Sequence, residues 1–141
     1  KIAYELREKT GFKIICTPHL DSFVKEDMNF GDKQLFDIGP DDFVNLIRGA
    51  EYVLTDSFHG SVFSIINHKK FITFNRFGTS IQSRNSRIDS LCGLLGLESR
   101  RYSANIYEQI EQNINYHCVD EKKEILRKES LLFLENALKK N

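Results

Sequence analysis

Cysteine is scarce in this chain: among 141 residues there are three, Cys16, Cys92 and Cys118. They are far apart, odd in number and show no Cys-x-x-Cys spacing, which argues against a disulfide framework and against a zinc site. They read as reduced thiols of a cytoplasmic protein, and no metal is expected. Long apolar runs are also missing. None approaches the ~20 residues that span a bilayer, and the first residues show no signal-peptide pattern. A net charge is the third absence, with 20 Lys and Arg against 20 Asp and Glu. That balance gives no reason to expect nucleic acid or an anionic membrane as a partner, so any basic site must be local. Internal repeats and low-complexity stretches are absent too.

What is present fits one globular domain. The hydrophobic share of 40% and charged share of 28% are ordinary, and 141 residues suffice for a single core. The chain begins at Lys1, already inside a helical pattern, which predicts a piece of a longer protein.

The most informative stretch is Tyr52 to Ile66. Tyr52 to Thr55 reads as a buried strand that breaks at Asp56-Ser57 into a helix from Phe58 to about His68, because Asp and Ser are N-cap types. Such a strand–turn–helix unit presents first-turn amides and the positive end of the helix dipole, a ready anion site. Ser57, Phe58, His59 and Gly60 stand there. The placement of His59 equally suits a structural or surface histidine. From Ser57 to Ile88 there is no Asp or Glu, although an even spread of the chain's 20 acids would put roughly four or five in that window. Lys69, Lys70, Arg76, Arg84 and Arg87 all lie in it.

Around this unit, Ile2 to Thr10 suits an amphipathic helix capped by Gly11, and Lys13 to Thr17 a short buried strand stopped by Pro18. Leu20 to Pro40 is polar, with a possible brief strand at Phe36 and Ile38. Pro40 to Gly49 is a helix with acids in its first turn, and Lys70 to Phe74 a further strand. Phe77 to Asn85 reads as a loop. Ser86-Arg87-Ile88-Asp89 has capping-box spacing for a helix ending at Gly96, with Cys92 in its core face. Tyr102 to His117 is ambiguous, favouring helix, and the tail at about 120–140 reads as a long packing helix.

Short apolar strands alternating with helices predict an α/β fold, a three-layer Rossmann-like domain with one parallel sheet built from strands near 13–17, 51–55 and 70–74. Ligands of such sheets bind outside the carboxyl ends of the strands. Those ends carry His19, His59 and Arg76, with Arg84 and Arg87 following. Lys69 and Lys70 precede a strand and belong to the opposite edge.

Thr55-Asp56-Ser57-Phe58-His59-Gly60-Ser61-Val62-Phe63-Ser64, then Phe71 to Arg76, Asn85 to Leu91 and Leu94 to Leu97, resemble the polysaccharide pyruvyl transferases. The likeness covers most of Phe43 to Arg100, and the tail helix also fits. It implies one lobe of a two-domain architecture like that of the GT-B glycosyltransferases, with residues 1–141 as a single C-terminal lobe and the N-terminal lobe missing. It also implies the C-terminal half of an enzyme that moves a pyruvyl group from phosphoenolpyruvate to sugar hydroxyls of an exopolysaccharide or cell-wall glycan. Phosphoenolpyruvate and a glycan acceptor are then the partners, with no separate cofactor. By this likeness His59 is catalytic, and Ser57, Phe58, Gly60, Arg76 and Arg87 bind the donor, with His19, Arg84 and Asn85 as further candidates. Alone, the chain is expected to be inactive. Two other readings suit the same residues: a lobe of a nucleotide-sugar GT-B glycosyltransferase, or a non-catalytic α/β module that binds glycan or protein.

Overall fold

A computed structural model describes residues 1–18, 29–75, 82–103 and 105–139. In chain order the elements are helix α1 (Ile2–Thr10), strands β1 (Ile15–Cys16) and β2 (Lys33–Gln34), helix α2 (Pro40–Gly49), strand β3 (Tyr52–Thr55), helix α3 (Phe58–Ile66) and strand β4 (Lys70–Thr73). Helix α4 (Gln82–Leu95), a 3-10 turn at Glu98–Arg100, helix α5 (Ile106–Glu111) and helix α6 (Tyr116–Lys139) complete them.

The fold is α/β with two small parallel sheets, β1–β2 and β3–β4, each of two strands. The expected single sheet is therefore corrected: the 13–17 segment pairs with Lys33–Gln34, while the other two strands pair with each other, Val53 opposite Phe71 and Leu54 opposite Ile72. The physical reason is burial. Ile15 is 51% exposed, whereas Phe71 and Ile72 are fully buried, and a strand joins the central ladder only where helices cover its faces. The brief second strand also falls at Lys33–Gln34 rather than at Phe36 and Ile38, and Phe36 is exposed.

Alternation along β4 sends neighbouring side chains into different cores. Phe71 packs with Ile65, Ile88, Cys92, Leu95, Leu97 and Val119, from α3, α4, the segment after it and α6. Ile72 packs with Leu6 of α1 and with Ile106 and Ile110 of α5. The β3–β4 sheet thus carries helices on both faces. Burial pushes the Cys92 thiol up to about 11, as expected of an inert core cysteine.

Three helix ends follow from local chemistry. Gly11 and Gly96 close α1 and α4 with φ of 73° and 71°, left-handed values that cost glycine little. At α2 the Asp42 carboxylate accepts from the Gly39 N–H at 3.2 Å, holding the first turn. Two expectations fail. Helix α4 starts at Gln82, so Ser86 lies inside it and is not its cap, and residues 82–85 are helix rather than loop. In α6 only Val119 is buried. Ile125, Leu131, Leu132, Leu134 and Leu138 are exposed, and Phe133 is 76% exposed, so the distal part of this helix does not pack on the described residues.

Candidate functional site

The carboxyl ends of β3 and β4 form one edge of the central sheet, and α3 starts there. Ser57 is the N-cap of α3, with extended backbone, and its Oγ accepts from the Gly60 N–H at 3.3 Å. The Ser57 carbonyl accepts from both the amide and the hydroxyl of Ser61 at 3.0 Å. The Ser57 N–H itself donates to Thr55 Oγ1 at 3.0 Å. Of the four amides from Ser57 to Gly60, two are therefore consumed in closing the turn. Those of Phe58 and His59 have no intramolecular acceptor among the described residues. Orphan donors of this kind are where a helix N-terminus meets an anion.

Gly60 has a packing task in this turn. A Cβ at this position would stand 2.4 Å from Thr55 Oγ1 and 3.1 Å from Thr55 Cβ. The glycine lets the first turn of α3 close against the end of β3, and it is buried there. Ser61 and Ser64 are also fully buried. With Ile65, these small residues form the packing face of α3, while Ile66 is 51% exposed.

His59 is exposed in the first turn of α3, and its ring meets Phe58 edge-on at 5.8 Å. Phe58 is half-buried against the core cluster of Phe71. Arg87, on α4, is exposed, and its guanidinium carbon lies 5.6 Å from the Phe58 ring centroid, within cation–π range. The structure thus brings Arg87 to the ring of Phe58, which Ser57 and His59 flank in the chain. Asn85 is half-buried and engaged in an interaction of its own. His19 and Arg76 lie outside the described residues, as does the side chain of Arg84. Lys69 and Lys70 are at the other end of β4, where Lys69 donates to the Arg48 carbonyl and Lys70 to Glu111 at 2.7 Å.

Sequence reasoning missed Thr55, whose hydroxyl orders the turn, and Arg101. An isolated parallel bridge places Arg101 beside Thr73, so the chain meets β4 there for a single residue. Its guanidinium donates to Asn75 Oδ1 and pairs with Asp89 at 2.8 Å. Its Nη1 is buried without an acceptor among the described residues. Nothing local in Ser99-Arg100-Arg101-Tyr102 distinguishes this arginine from its neighbour. By contrast Arg100 is 1% exposed, and its guanidinium donates to Gln112.

Comparison with protein families gives a match to the polysaccharide pyruvyl transferase model over residues 2–76, just over half of the chain. The chain belongs to that family. No curated protein and no solved structure matches it. The matched span is the N-terminal half of the chain, which corrects the expectation of a C-terminal lobe and, with it, the function expected of the C-terminal half of such an enzyme. It contains α1 through β4 and the whole Thr55 to Gly60 turn, and it ends before Arg87. The Asn85 to Leu97 part of the resemblance thus lies beyond the match. No helix among the described residues is long and apolar enough to cross a membrane.

Proposed function

We propose that the edge formed by the Phe58 and His59 amides and the Arg87 guanidinium binds the carboxylate or phosphate of phosphoenolpyruvate, and that the chain serves pyruvyl transfer to sugar hydroxyls. The observation that carries this reading is the pair of first-turn amides without an acceptor among the described residues, in a span that matches the family. A multiply anionic donor matches the helix dipole, the unengaged N–H groups and a nearby guanidinium, which forms bidentate contacts with carboxylate and phosphate.

In this reading His59 is the proton donor. It delivers a proton to the methylene carbon of the donor, leaving the central carbon electrophilic. One sugar hydroxyl attacks that carbon, and a second displaces phosphate. Two hydroxyl protons are released, phosphate departs, and the pyruvyl ketal is left. Exposure of His59 lets it be reprotonated from solvent. Phe58, pinned in the core cluster, holds the turn and gives Arg87 a face to rest on.

The test is calorimetric titration with phosphoenolpyruvate at two salt concentrations. Binding is expected to weaken as salt rises, because exposed charges are screened. Arg87→Ala should cost about 1.5 kcal/mol, the lower end for hydrogen bonds to charged groups because Arg87 is exposed. Unchanged affinity in Arg87→Ala would remove Arg87 from the site. Tighter binding of a nucleoside diphosphate sugar than of phosphoenolpyruvate would overturn the donor assignment.

A further inference from the structure

A second group of chemically capable side chains stands away from the α3 edge, on the first turns of α6. His117, Cys118 and Glu121 each offer one ligand atom, and these atoms all lie within 4.8 Å of one another. His117 Nδ1 and Glu121 Oε1 are 3.6 Å apart. Donor atoms around a tetrahedral zinc-class ion, at bonds of about 2.0–2.3 Å, are themselves roughly 3.3–3.8 Å apart. The imidazole and the carboxylate already have that spacing, and the thiol sulfur lies within 4.8 Å of both. The positions explain why: 117 and 121 are four apart and 118 and 121 three apart, so both pairs share a helix face.

The turn that presents them is held firmly. Asn115 Oδ1 accepts from the Cys118 N–H at 3.2 Å as the helix cap. Tyr116 donates to the Lys69 carbonyl and stacks on His68 at 4.5 Å, and Val119 is buried in the Phe71 core. All three candidate ligands are nevertheless exposed. A shallow groove along the helix is lined by His117 and Glu121 together with Asp120, Glu124, Ile125 and Lys128. The positive end of the helix and Lys128 oppose a cation. A thiolate and a carboxylate offset this, since together they neutralise a divalent ion.

We infer that His117, Cys118 and Glu121 form a binding site for a zinc-class divalent ion. The nitrogen, sulfur and oxygen donors favour zinc or cobalt over magnesium or calcium, which prefer oxygen alone. Three protein ligands leave a fourth position for water. Binding displaces the thiol proton to solvent. The expectation of no metal rested on cysteine spacing, and a single cysteine beside a histidine with a glutamate three residues on escapes that rule.

Cobalt titration of the complete chain tests this, because a Co2+–thiolate bond gives a charge-transfer band in the near ultraviolet. One Co2+ per chain is expected, with the band abolished by added Zn2+ and absent in Cys118→Ser. His117→Ala and Glu121→Gln should each weaken binding about tenfold or more. Because the three side chains are exposed, the variants keep the helix, which circular dichroism checks. Zn2+ should also protect Cys118 from alkylation in the wild-type chain. No band at saturating Co2+, a band that persists in Cys118→Ser, or unaltered affinity in His117→Ala and Glu121→Gln would overturn the site.

Discussion

The two parallel pairs β1–β2 and β3–β4 obey the same pairing rule and differ in what covers them. In β4, Phe71, Ile72 and Thr73 are fully buried, with helices on both faces. In β1, Ile15 is 51% exposed, and the ladder is two residues long. Apolar side chains are present in both, so apolar content alone does not decide which strand becomes the core. Position between covering helices decides it, because stabilisation scales with area removed from water. The candidate site sits at the carboxyl edge of the covered pair, where α3 closes against β3 and a rigid turn can be maintained.

Substitutions can break this comparison, and the largest effect belongs to Phe71. Phe71→Ala should destabilise the fold by about 3–5 kcal/mol in denaturant unfolding, the range for deleting a fully buried aromatic ring. Ile15→Ala, in the uncovered pair, should cost under about 1 kcal/mol. Equal costs would erase the distinction between the two sheets. Next comes Gly60→Ala, which drives a Cβ into Thr55 and should cost about 1–3 kcal/mol, as overpacking does. If the contact with Thr55 is the cause, Gly60→Ala combined with Thr55→Ala should cost less than the two single changes added together.

The smallest effect sharpens the comparison at the amino-terminal ends of β3 and β4. Glu111 accepts from the Tyr52 hydroxyl at 2.5 Å and from Lys70 at 2.7 Å, tying both strands to α5. The Lys70 ammonium first, and the Tyr52 hydroxyl second, hold the Glu111 carboxyl below its ordinary value of 4.5. That contribution to stability is present above the ordinary value and is lost as pH falls through the lowered one. Tyr52 is pushed up to about 12 from 10.0, by its hydrogen bond to Glu111 and then by burial. Its contribution is complete below pH 10.0 and is lost as pH rises toward about 12. Stability of Glu111→Gln measured across pH should therefore fall less steeply than wild type at both extremes. Identical pH profiles would show that the clip contributes nothing.

Much of this was legible in the sequence where local chemistry governs. Gly11, Pro40 and Ser57 mark helix ends that the structure reproduces, and parallel pairing of Tyr52–Thr55 with Lys70–Thr73 follows from the helix between them. What escaped depends on tertiary context. The polar run Gln82-Ser83-Arg84-Asn85 reads as loop because it has no apolar period, yet it extends α4 by a turn. That position 60 has no room for a Cβ is set by Thr55, which only the closing of α3 against β3 brings to it. The apolar residues of α6 ask for burial, but a sequence does not say what covers them. Arg101 has no local signal, since its place at the sheet edge is set by one bridge to Thr73.

The central claim is that the unengaged amides at the start of α3 receive the donor anion, and amide-resolved NMR during phosphoenolpyruvate titration tests it most directly. The account predicts saturable shifts of the Phe58 and His59 N–H signals, accompanied by the Arg87 guanidinium, with the Ser57 and Gly60 amides moving less because their protons are already bonded. Raising the salt concentration should require more ligand for the same shift. Shifts confined to other residues, or Phe58 and His59 signals that stay in place at ligand saturation, would contradict it.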